Sequence, residues 1–165
     1  MRNVAAMRRL FSFLACLVVF AGPAAAAAET TFVRIWPEWR AAESFERIGE
    51  YFGAPEHRGR EIVIRTRADQ RAGFYFLVRV KQATPLAGAR FALHMIRPDA
   101  PEVVAFTFPV ASAPAGESVY LLGLTGTDWP GGKNVQPVAW KLELLGADGR
   151  ALTDQKSFLW EKPAK

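Results

Sequence analysis

The chain has 165 residues, 21 Lys+Arg against 16 Asp+Glu, a formal charge of +5 and a single cysteine. Hydrophobic residues make up 50% of it, which excludes a long disordered tail, and one cysteine excludes a disulfide scaffold and a Cys-rich zinc site. The charge and a pI near 9.7 suggest nucleic-acid binding, until the positions of the basic residues are considered.

Three of the arginines, Arg2, Arg8 and Arg9, stand at the start of residues 1–28. Leu10 to Ala21 follows as an apolar run broken only by Ser12. Gly22-Pro23 ends the run, and Ala24 to Ala28 supplies small side chains for a cleavage site. This is the pattern of a secretory signal peptide, with cleavage expected after Ala28 or Ala26. The apolar run is well short of the roughly 20 helical residues that cross a bilayer. Arg8-Arg9-Leu10-Phe11 resembles a twin-arginine pattern, but Met7 before the pair and the strongly apolar core favour the ordinary Sec route. Cys16 is a poor lipidation site, since Phe13-Leu14-Ala15 fits imperfectly before it and Leu17 to Phe20 continues the apolar run.

Without residues 1–28 the chain carries 18 basic against 16 acidic side chains, a net of +2, and no cysteine. A single domain over residues 29–165 is expected, in the periplasm or secreted, with no further transmembrane segment. Nucleic acid is not an expected partner at that charge.

Thr31 to Trp36 reads as a short strand closed by Pro37. From Trp39 to Phe52 the period changes, with Trp39, Ala42, Phe45, Ile48 and Phe52 at helical spacing and Gly53 and Pro55 as a stop. One amphipathic helix is expected there, weakened by Gly49. The rest alternates as strands: Glu61–Arg67, Phe74–Lys81, Arg90–Arg97, Val103–Val110, Ser118–Thr125, Val138–Leu145 and Gln155–Trp160. Turn residues separate them, most sharply at Asp148-Gly149. The expected fold is mainly β, an antiparallel immunoglobulin-like or fibronectin-like β-sandwich of seven to eight strands with one N-terminal helix. The stretch Trp140 to Leu152 resembles the closing strands of bacterial immunoglobulin-like or fibronectin-type domains. The missing cysteine pair excludes their disulfide-bonded form.

Chemistry is sparse. There is no Gly-x-Ser-x-Gly, and the only histidines are His57 and His94. His57, beside Glu56 in an expected loop, is the one candidate base for a small hydrolase. His94 belongs to a strand face opposite Phe91, Leu93 and Met95. No metal site is expected from two histidines this far apart, nor from Thr127, Asp128 and Asn134, which lack the carboxylate density of a calcium loop. Gly131-Gly132-Lys133 lacks the frame of a phosphate loop and reads as a turn. No cofactor is expected.

The aromatic and basic residues carry more. Trp36, Trp39 and Trp129 stand at segment ends, where an indole can stack on a sugar or anchor a protein. Asp128 and Trp129 lie in a shaped, glycine-rich loop. Trp140 and Trp160 alternate into strands and read as core. Arg65, Arg67, Arg79 and Lys81 share a face if the two strands carrying them pair as a hairpin, and such a face can hold carboxylates, phosphates or acidic glycans. The leading expectation is therefore a non-enzymatic envelope binding module that contacts a protein partner or surface. A carbohydrate-binding module built on the three tryptophans is the alternative, and a small hydrolase the third.

Overall fold

The computed structural model describes residues 30–45 and 61–161. Eight strands account for most of them: β1 (Thr30–Arg40), β2 (Glu61–Arg65), β3 (Gly73–Gln82), β4 (Leu86–Arg97), β5 (Ala100–Ala113), β6 (Gly116–Thr125), β7 (Ala139–Leu145) and β8 (Ala151–Lys156). They form two four-stranded sheets, one in the order β1-β3-β6-β2 and the other β5-β4-β7-β8. The fold is mainly β and sandwich-like.

Alternation along each central strand builds the interior. Phe74, Phe76, Val78 and Val80 of β3 and Tyr120, Leu122 and Leu124 of β6 face Phe91, Leu93 and Met95 of β4, Phe108 and Val110 of β5, and Leu142 and Leu144 of β7 in one buried cluster. Aromatic contacts tie one sheet to the other, with Phe91 against Tyr120 at 4.9 Å and Phe76 against Trp140 at 5.5 Å between ring centroids. Each fully buried side chain of this size contributes about 1.5–3 kcal/mol of transfer free energy. A second, smaller cluster of Phe45, Tyr75 and Leu121 lies on the other face of β3 and β6.

Several expectations hold in detail. Trp140, Leu142 and Leu144 turn inward, and Trp140 packs on the core. The Asp148-Gly149 hairpin joins β7 to β8, closed by the Gly146 N–H donating to the Arg150 carbonyl at 2.9 Å. Gly149 has φ of 82° there, a left-handed conformation that disfavours side chains.

Four expectations need correction. First, β1 does not end at Pro37 but runs on to Arg40, so Trp39 belongs to a strand and not to a helix. Pro37 is tolerated because β1 is an edge strand, where one row of backbone groups needs no partner. A short 3-10 turn, Ala42–Phe45, follows; the rest of the expected helix lies outside the described residues. Second, β2 does not pair with β3. It runs parallel to β6, with Val63 opposite Leu121, and this is the one parallel pairing among the described strands. Third, β8 is Ala151–Lys156, and Phe158–Glu161 is a 3-10 turn, not strand. Phe158 is accordingly 85% exposed. Fourth, Trp129 is buried rather than presented by its loop.

Candidate functional site

The outer face of the first sheet, which carries the Phe45–Tyr75–Leu121 cluster at one end, presents Arg34, Trp36, Arg79 and Lys81 further along. A register shift between Phe32 and Arg34 sets the rest of β1 so that Ile35 and Trp39 pack on the core while Arg34 and Trp36 are exposed. Pairing with β3 then puts Arg34 directly opposite Arg79 and Trp36 opposite Leu77. These residues and Glu38 line a shallow cavity of about 240 Å³. The Arg34 guanidinium lies 4.3 Å from the centroid of the Trp36 ring, a cation–π contact that restrains it. Trp36 itself is 50% exposed.

Like charges directly across a strand pair are unfavourable. Glu38 on this face does not relieve them, because it accepts from Arg40 at 2.6 Å. Among the described residues neither Arg34 nor Arg79 has an acidic group within ion-pair distance. Lys81 continues the same face two residues beyond Arg79, opposite Thr31 on β1 and Glu117 on β6. It lines a second cavity of about 240 Å³ with Thr31, Gln82 and Ala83.

The other sequence candidates fall elsewhere. Arg65 is on β2, in register with Gly123, four residues along β6 from the Val119 partner of Arg79. That is roughly 13 Å along the strand. Its Nε donates to the Tyr75 hydroxyl at 2.8 Å, and its guanidinium lies 4.7 Å from the Phe45 ring centroid. The Tyr75 hydroxyl in turn donates to the Arg71 carbonyl at 2.6 Å. Arg65 therefore braces the Phe45–Tyr75 cluster.

Arg67 lies beyond the end of β2. Its Nε donates to Asp128 at 3.3 Å and its Nη2 to the Thr127 hydroxyl at 3.5 Å. Arg67 and Asp128, candidates from separate stretches, are thus brought together as a tie between two loops. At 53% side-chain exposure for Arg67, the ion pair itself is worth little.

The tryptophans do not form one platform. Trp129 is 5% exposed and packs on Phe74 with ring centroids 4.5 Å apart. Trp39 is partly buried against the core. Of the three, Trp36 alone is exposed. Arg65 does share a sheet face with Arg79 and Lys81, through Gly123 and Tyr75, but without the expected hairpin pairing it stands apart from them along the strands; Arg67 lies beyond β2, and Arg34 is the residue set against Arg79.

Arg34 is the residue sequence reasoning passed over. The alternation of Arg34, Trp36 and Glu38 was available as a hint, but only the β1–β3 register puts Arg34 against Arg79. His94 is partly exposed, as expected, with its Nε2 3.5 Å from a Glu143 oxygen. His57 lies outside the described residues. Among the described residues no three His, Cys, Asp or Glu side chains converge on a metal position, and no helix is long and apolar enough to cross a membrane. No protein-family model matches this chain, and no curated protein matches it either.

Proposed function

We propose that the chain is an exported, non-enzymatic binding module of a bacterial-type cell envelope, of immunoglobulin-like or fibronectin-like type, with Arg34, Trp36, Arg79 and Lys81 as its contact face. The observation that carries this reading is the Arg34–Arg79 pair: two guanidinium groups opposite each other, beside a half-exposed indole, with no acidic partner among the described residues. A fold has no use for such a pair on its own account, because the two charges repel. A binding face does, since guanidinium forks recognise carboxylate and phosphate oxygens.

The sandwich type is supported by the strand order. Consecutive strands β3 and β4 lie in different sheets, as do β6 and β7, while β3 pairs with β6 and β4 with β7. That interlock is characteristic of Greek-key sandwiches. Taking away β2, inserted between β1 and β3, leaves three strands on four. Export is supported by residues 1–28, whose basic start, apolar run and small-residue end match a signal peptide.

The test is retention on envelope material. The purified chain is mixed with a washed envelope fraction and sedimented, alongside an Arg34→Glu/Arg79→Glu variant whose folding is verified by circular dichroism. Retention of the wild type and its loss in the variant are expected. Equal retention of both, or none of either, overturns the assignment of this face.

A further inference from the structure

Two cavities border the β1–β3 strand pair. The first holds Arg34, Trp36 and Arg79; the second, further along the same β1–β3 strip, holds Lys81 and Thr31. Arg79 and Lys81 are two residues apart on one strand, so their stems stand about 7 Å apart. The result is a track, with an aromatic ring at one end, an arginine pair in the middle and a lysine beyond. Among the described residues none of the three cations has an acid within ion-pair distance. One small anion would use only part of such a track. A chain carrying repeated negative charges would use all of it.

We infer that the ligand of this face is an acidic polysaccharide, a sugar chain bearing carboxylate or sulfate groups. The inference rests on the binding-module reading above and adds the ligand's chemical class. Three features select a glycan over other polyanions. The cations and the indole are presented as side chains on the face of the β1–β3 pair, whereas a peptide adding as a strand would dock along the free edge of β1 and not on that face. A sugar chain meets side chains alone, and its remaining hydroxyls stay in water. The half-exposed Trp36 beside the cations offers an apolar surface of the kind a sugar ring covers. A single-stranded nucleic acid would call for several such rings, one for each base, and this face has one exposed indole.

The test titrates the full chain, at low salt, with hyaluronate, dextran sulfate, neutral dextran, poly-glutamate and single-stranded DNA, followed by calorimetry. Binding of hyaluronate or dextran sulfate, no binding of dextran and weaker binding of the other two polyanions are expected. The affinity should fall as salt screens the charges, and by about tenfold or more in Arg34→Ala or Arg79→Ala, since each removes hydrogen bonds to a charged group. Trp36→Ala should weaken glycan binding further without changing the melting temperature. Poly-glutamate or DNA binding more tightly than both glycans overturns the glycan assignment, while loss of envelope retention in the Arg34→Glu/Arg79→Glu variant would leave the binding-module reading standing. Glycan binding unchanged in the arginine variants overturns the placement of the ligand on this track.

Discussion

The Thr125 hydroxyl both accepts from the Arg67 N–H and donates to the Arg67 carbonyl, each at 3.0 Å. One buried side chain thus does for Arg67 what a neighbouring strand does for a paired residue. The tie is needed because β2 ends at Arg65, where the ladder to β6 stops. Thr66 extends it, its N–H donating to the Gly123 carbonyl at 2.9 Å and its hydroxyl accepting from the Thr125 N–H at 3.1 Å. Together these bonds hold the loop that follows the parallel strand.

Thr125→Val keeps the shape and removes the hydroxyl, so it leaves both Arg67 backbone groups without that partner. A loss of about 2 kcal/mol is expected, read as a lower urea midpoint. Thr125→Ser keeps the hydroxyl and should lose much less. If the valine and serine variants unfold at the same midpoint, the tie contributes nothing.

Trp129→Ala removes an indole that packs on Phe74 in the core. Large-to-small changes of this kind cost about 3–5 kcal/mol, and thermal unfolding followed by circular dichroism should record it. Binding at the Arg34–Arg79 face should persist while the variant is folded. An unchanged melting temperature would mean that Trp129 is exposed after all.

Tyr120 gives the chain an alkaline limit. Its ring is buried, and desolvation raises the phenol above its ordinary value of 10.0. Ser118 lies close enough to act the other way, as a smaller effect, but not in hydrogen-bonding geometry, and among the described residues the hydroxyl has no hydrogen-bond partner. The neutral phenol is therefore favoured in the folded state. Its contribution is fully present below pH 10 and is lost as pH rises past 10 towards the folded value, because the unfolded chain ionises first. Tyr120→Phe should match or exceed the wild type at pH 7, since it removes a buried unpaired hydroxyl, and should show a shallower decline in stability above pH 10. An identical alkaline decline in both proteins would assign it to other groups.

Expression in a bacterial host with an N-terminal sequence of the product tests the leader. The exported form should begin at Ala27 or Glu29 and be recovered from the periplasm or the medium. An intact start at Met1 in the cytoplasm would remove the export reading.

The order of elements was legible in the chain because alternation is a local property. Phe74, Phe76, Val78 and Val80 face one way whatever strand lies beside them, and Asp148-Gly149 bends the backbone by its own conformational preference. Seven strands and the single inward-facing set on β7 followed from that. Arg2, Arg8 and Arg9 sit together in residues 1–28, so the residues after them carry 18 basic against 16 acidic side chains. Partnership between strands is not local. Nothing in Glu61 to Arg65 says that β2 crosses to lie parallel to β6, so Arg65 shares the sheet face of Arg79 but stands roughly 13 Å from it along the strands rather than beside it. Pro37 looked like a stop, because only the finished sheet makes β1 an edge that can hold a proline. Trp129 looked like a surface residue, because glycine and proline mark a loop without saying which way its side chains turn. Sequence periodicity determines which face a side chain takes, whereas the neighbour it meets there depends on how distant strands pair. The Arg34–Arg79 pair came into being only with that pairing.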